Sequence, residues 1–152
     1  MEDFKQKEIS TKVDTKQDEV EGLIQLGAHN TKYVYDSPCP DLLEVFPNQY
    51  PNRNYITEFK FGEFTSLCPK TSQPDFATIT IRYIPNEKCI ETKSLKLYLL
   101  SYRQYGCFME TLTNRILEDL VSVCSPRWMK VISNFNARGG TFINVEVEYE
   151  AN

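Results

Sequence analysis

Residues 55–83 read YITEFKFGEFTSLCPKTSQPDFATITIRY. Both ends of this stretch alternate. Tyr55, Thr57, Phe59 and Phe61 fall on one side against Ile56, Glu58 and Lys60, and Ala77, Ile79, Ile81 and Tyr83 fall on one side against Thr78, Thr80 and Arg82. A period of two is the signature of a strand with one buried face, so 55–61 and 77–83 are predicted strands. Between them, 63–76 is polar and is punctuated by Pro69 and Pro74. That composition predicts a surface loop. Cys68 in such a loop is an accessible thiol, and Asp75 follows it seven residues on. A thiolate attacks electrophiles and a nearby carboxyl group hands over protons, so the pair is a candidate nucleophile and acid. Lys70 is close enough in sequence to lower the thiol pKa.

Downstream, 91–104 lacks Pro and Gly and is rich in helix formers, until Gly106 interrupts it. Residues 110–124 place Leu112, Ile116, Leu117, Leu120, Val121 and Cys124 on one helical face, and Ser125–Pro126 stops the run. Residues 128–135 and 142–149 read as two more strands around the turn NARGG. The order strand, strand, helix, helix, strand, strand predicts an α+β fold, a four-stranded antiparallel sheet with both helices on one face. Such a sheet has two open edges, and pairing edges between subunits into a ring is one way to close them. Upstream, 1–20 is a charged stretch expected to be a disordered tail. Residues 21–54 hold four of the eight prolines and read as an irregular arm with a short helical turn near 41–45. Residues 21–152 are expected to form a single domain.

With 152 residues, 41% hydrophobic and 25% charged, the chain suits one globular core. A net charge of −4 and a pI near 5.1 argue against direct nucleic-acid binding. No apolar run nears the ~18 residues of a membrane span, and the charged start MEDFKQKEIS is no signal peptide. A cytoplasmic protein is expected. Five cysteines without a CxxC pair read as free thiols, Cys107 among them, although Cys107 is also a possible redox partner of Cys68. No ligand cluster suggests a metal, and the lone His29 reads as a loop residue rather than a catalytic base.

Three further groups carry chemistry beside plainer readings. Glu91, Lys93 and Lys96 in ETKSLKLY sit near a helix start, where the two lysines share a face that suits a phosphate. A solvated helix face accounts for them as well. Arg138 precedes Gly139 and Gly140, a pattern fit for close approach to a phosphate or simply for a hairpin turn. Glu110 opens the second helix, either completing its dipole or aiming a carboxylate at an N–H edge.

Taken together, LGAHNTKYVYD (26–36), FPNQYPNRNY (46–55), EFTSLCPKTSQPDFATI (63–79), ETKSLKLYLLSYR (91–103) and the RGG turn resemble the unimodular NADPH-dependent 7-cyano-7-deazaguanine (preQ0) reductases of queuosine biosynthesis, over most of 22–145. The resemblance implies the tunnelling fold shared with GTP cyclohydrolase I, a homo-oligomeric ring with active sites between subunits, NADPH as cofactor and no catalytic metal. It implies that Cys68 adds to the nitrile to give a thioimide and that Asp75 protonates the nitrile nitrogen, on the way to the primary amine 7-aminomethyl-7-deazaguanine. By position, Ile90, Glu91, Thr92, Met109 and Glu110 match substrate contacts, the two carboxylates gripping the deazaguanine edge. Thr92, Lys93, Arg138 and Gly139 match NADPH contacts. Two departures stand out: Thr92 replaces a usual Ser, and Met109 replaces a usual His, which removes a group able to relay a proton. The competing expectations are an amidinotransferase-type relative that forms the thioimide without reduction, and a non-catalytic binding protein of the same fold.

Overall fold

The computed structural model describes residues 17–27, 31 and 33–152, so His29 and most of the expected tail lie outside the described residues. The last four residues of that tail form a short helix, α1 (Gln17–Val20). The arm then carries a 3-10 turn at Pro40–Leu42 and β1 (Val45–Pro47). The remaining elements are β2 (Thr57–Leu67), β3 (Pro74–Ile84), β4 (Lys88–Ile90), α2 (Thr92–Leu100), α3 (Met109–Cys124), β5 (Trp128–Phe135) and β6 (Asn144–Glu150).

The main sheet is four-stranded and antiparallel, as expected, and its strand order is β2-β3-β5-β6. Ile79, Ile81 and Tyr83 of β3 and Met129 and Val131 of β5 are fully or almost fully buried beneath Leu95, Tyr98 and Leu99 of α2 and Leu112, Ile116 and Leu120 of α3. Each such aliphatic side chain contributes about 1.5–3 kcal/mol by leaving water. The opposite face is polar. Register sets Glu58, Arg82, Lys130 and Glu148 side by side across all four strands, with Arg82–Glu58 at 3.3 Å and Lys130 3.4 Å and 3.5 Å from Glu146 and Glu148. The two outer ion pairs flank the like-charged Arg82 and Lys130, so this face is stabilised only modestly.

Three features depart from expectation. A minor sheet joins β1 to β4, because β1 is too short for its period to show. The helix predicted over 91–104 ends at Leu100; Glu91 is its cap, and the N–H groups of Tyr102 and Arg103 reach back only three residues, tightening the last turn. Most important, β2 runs on to Leu67 and β3 starts at Pro74, so the expected long loop shrinks to 68–73. Phe61 pairs with Ile79 and Phe64 with Ala77, three steps on one strand against two on the other, which is a β-bulge at Gly62–Glu63. The bulge breaks the alternation, and with it the sign of a strand in the sequence. α3 ends at Ser125, in the left-handed region at φ 44, before Pro126.

Candidate active site

The hairpin tip between β2 and β3 is held from three directions. Within the turn, Cys68 N–H donates to the Gln73 carbonyl at 2.8 Å and Ser72 N–H to the Cys68 carbonyl at 3.0 Å. On the outer edge of β2, Leu67 N–H donates to the Tyr105 carbonyl and Cys107 N–H to the Leu67 carbonyl, both at 3.0 Å. Glycine suits position 106 in this clamp, since a Cβ there would stand 3.1 Å from Pro69 Cα and push it back by a few tenths of an ångström. On the far side, Asn136 N–H donates to the Phe76 carbonyl at 2.8 Å and docks the RGG turn. In that turn Arg138 and Thr141 exchange main-chain hydrogen bonds at 3.0 Å, and Gly139 and Gly140 take φ values of 59 and 79. Side chains there would be strained.

Strand alternation puts Ser66, Cys68, Gln73 and Asp75 on one side of the tip, because Ser66 stands opposite Asp75 and Cys68 opposite Gln73. Arg138 reaches them. Its Nη1 lies 2.7 Å from Asp75 Oδ1 and its Nη2 donates to Gln73 Oε1. Asp75 is only 4% exposed, and the Arg138 side chain 37%. The thiol of Cys68 is pulled down to about 7, first by the Thr71 hydroxyl, then by the main-chain N–H groups of Thr71 and Lys70, with Arg138 adding to them. Lys70 therefore acts through its backbone and not its ammonium group. The contrast with its neighbours is sharp: burial pushes the thiols of Cys89, Cys107 and Cys124 up. All five cysteines, Cys107 included, are free.

Met109 and Glu110 open α3 just past the Tyr105–Cys107 clamp, which brings them to this end of the sheet. Glu110 is exposed, and Met109 packs partly against the core. Ile90, Glu91, Thr92 and Lys93 are elsewhere. Ile90 is buried, its N–H donating to the Tyr83 hydroxyl at 2.9 Å. The carboxylate of Glu91 caps α2, accepting from the N–H groups of Lys93 at 2.8 Å and Ser94 at 2.7 Å. Lys93 Nζ donates to the Gln25 carbonyl at 2.7 Å, while Thr92 and Lys96 remain exposed. Thr92 and Lys96 border Phe59–Phe61, Leu100 and Arg103 border Gly62–Thr65, and Gly106 bridges Leu67. α2 thus runs along β2 in the same sense, and its start lies on the order of 20 Å of strand away from Cys68.

The sequence did not single out Gln73, Thr71 or Ser66. Pairing residues outward from the turn would have found two of them, since Gln73 and Ser66 are the ladder partners of Cys68 and Asp75. Ser66 is fully buried, and its hydroxyl has no hydrogen-bond partner among the described residues. The described residues contain no group of three His, Cys, Asp or Glu placed to hold a metal.

Comparison with known proteins finds relatives of one name and one fold. A chain from Bacillus subtilis named NADPH-dependent 7-cyano-7-deazaguanine reductase is 50% identical over 134 residues, 88% of this chain and 81% of that one. Chains of the same name from Chloroherpeton thalassium and Nitratidesulfovibrio vulgaris are 56% and 49% identical, covering 74% and 86% of this chain and 97% and 79% of their own. Among solved structures, the crystal structure of an archaeosine synthase QueF-Like in the apo form superposes with a TM-score of 0.59 at 23% identity, over 64% of this chain and 95% of that one. That likeness supports the fold, and the tunnelling-fold class expected from the sequence holds. The family model described as QueF-like protein matches residues 74–152, and with relatives this similar over most of their length, the chain belongs to the QueF-like family.

Proposed function

We propose that the protein is an NADPH-dependent 7-cyano-7-deazaguanine reductase, taking the nitrile to the primary amine. The observation that carries the reading is the Cys68 tip: a thiol drawn down to about 7, with the Asp75–Arg138 pair on the same side of the hairpin. The Cys68 sulfur bonds to the nitrile carbon. The proton that the thiol gives up goes to the nitrile nitrogen by way of Asp75, and the product is a thioimide. This splits one difficult addition into easier steps. NADPH, when bound, supplies the hydride, and reaching the amine takes two. The turn residues suit its phosphates: Arg138 offers a part-exposed guanidinium, and Gly139 and Gly140 leave open space where side chains would stand. Thr92 and Lys93 are the other proposed cofactor contacts. Ile90, Glu91, Thr92, Met109 and Glu110 are the proposed substrate contacts, with Glu110 free to accept from the base's N–H edge and Glu91 offering its remaining lone pairs.

These residues form two groups at opposite ends of one protomer. A site that uses both groups takes each from a different copy of the chain, which supports a homo-oligomer with active sites between subunits. No described helix is long and apolar enough to cross a membrane, and the five free thiols favour a cytoplasmic setting.

The test is incubation with the nitrile base, with and without NADPH, following intact mass and NADPH oxidation. A covalent adduct, and about two NADPH consumed per amine as two hydride additions require, are the expected results. Adduct without oxidation points to an amidine-forming relative instead. A chain that never forms an adduct sinks the covalent reading.

A further inference from the structure

Gln73 makes two contacts that meet nowhere else in the hairpin tip. Its main-chain carbonyl accepts Cys68 N–H at 2.8 Å, and its side-chain Oε1 accepts from Arg138 Nη2. The backbone of Arg138 is fixed by its paired bonds with Thr141, but the long side chain is fixed only at its far end, by Asp75 and Gln73. Holding an arginine still opposes the rotamer entropy of its long side chain, and a single bond to one carboxylate oxygen leaves the guanidinium free to pivot. The second bond, to Gln73, removes the pivot. Arg138 is then stationed on the buried carboxylate, on the side of the hairpin tip that carries Cys68, and it adds to the lowering of that thiol.

We propose that Gln73 is a positioning residue: it holds the Arg138 guanidinium on the Asp75 carboxylate, on the Cys68 side of the hairpin tip, so that one cation serves nucleophile and acid together. Arg138 thereby acts in adduct formation, before any dinucleotide is needed, in addition to the phosphate contact proposed above. The inference rests on the reading of Cys68 as the nucleophile.

The side chain of Gln73 is exposed, so its variants are expected to fold with an unchanged melting temperature. The test compares wild type, Gln73→Ala and Gln73→Glu in two reactions at pH 7: alkylation of Cys68 by iodoacetamide, assigned by peptide mass spectrometry, and adduct formation with the nitrile base in the absence of NADPH. Gln73→Ala is expected to slow both about twofold, the fall in thiolate fraction when a thiol titrating near 7 rises by about half a unit, since Arg138 is the last of the groups that lower it. Gln73→Glu keeps an acceptor facing Arg138 and is expected to restore most of the rate. In turnover, Gln73→Ala lowers kcat and leaves the KM for NADPH unchanged, whereas Arg138→Ala affects both. Wild-type rates of alkylation and adduct formation in Gln73→Ala overturn the inference. A wild-type chain alkylated at Cys68 that gives no nitrile adduct overturns the nucleophile reading instead, and the alkylation comparison still decides the role of Gln73.

Discussion

At the Cys68 end of the sheet, functional side chains meet one another: Arg138 joins Asp75 and Gln73 across two hairpins. At the α2 end they are engaged by main chain: Glu91 by the N–H groups of Lys93 and Ser94, and Lys93 by the Gln25 carbonyl. The first arrangement tunes charge and proton affinity, which is what bond-making needs. The second spends charge on fixing a helix start and an arm, and leaves Thr92 and Lys96 facing outward. On the proposed reading, one end reacts. The other is built to hold a shape against which a ligand, or a second copy of the chain, can be placed.

Changes at the reactive end should have the largest effects. Cys68→Ala is expected to abolish the nitrile adduct by intact mass and to lower turnover on the order of a thousandfold or more. Asp75→Asn cannot carry a proton, and turnover should fall about 10²–10⁴-fold, read by NADPH oxidation at saturating substrate. The two ends can then be set against each other. If they belong to one site across an interface, mixing Cys68→Ala chains with Lys93→Glu chains, each inactive alone, restores activity at about a quarter of the sites by random pairing. No recovery after unfolding and co-refolding would place both ends in separate sites. Because the Cys68 thiol is lowered to about 7, the reactive anion gains population as pH rises through 7. Adduct formation should climb about tenfold from pH 6 to a plateau above pH 8; a midpoint near 9, the ordinary value, would show that Thr71 and its neighbours leave the sulfur untouched. The smallest effect is expected at Met109, which packs against the core. With proton transfer assigned to Asp75, Met109→His should change the single-turnover hydride rate by no more than about threefold, well under the 10²-fold floor for losing a general acid. A gain of orders of magnitude would mean that the site lacks a proton relay.

What the sequence made legible follows from period and length. β3, α3 and β5 repeat their buried residues often enough to be read, and the hairpins β2–β3 and β5–β6 follow from the turns between their strands. β1 and β4, three residues each, are too short to show a period. The end of β2 was hidden by its own bulge and by Thr65 and Ser66, polar residues that read as loop although Ser66 is buried. At the site, Cys68 and Asp75 were visible as chemistry. Their union with Arg138 spans sixty-three residues of chain and exists only because β3 pairs with β5, a tertiary fact no local pattern encodes. The division of Glu91 and Lys93 from Cys68 was invisible for the same reason.

The bulge at Gly62–Glu63 has a bearing on how this chain can change over time. Beyond it, Phe64 and Ser66 face inward with Ala77 and Asp75, a parity that the two phenylalanines before it would not by themselves continue. Loss of one residue there would restore a regular ladder that still sets Phe64 opposite Ala77 and Ser66 opposite Asp75, so Cys68 would stay on the side of Asp75. The bulge is therefore the place in β2 where the chain can lose a residue and keep Cys68 in phase with Asp75, whereas the same loss between Phe64 and Cys68 puts the two on opposite faces.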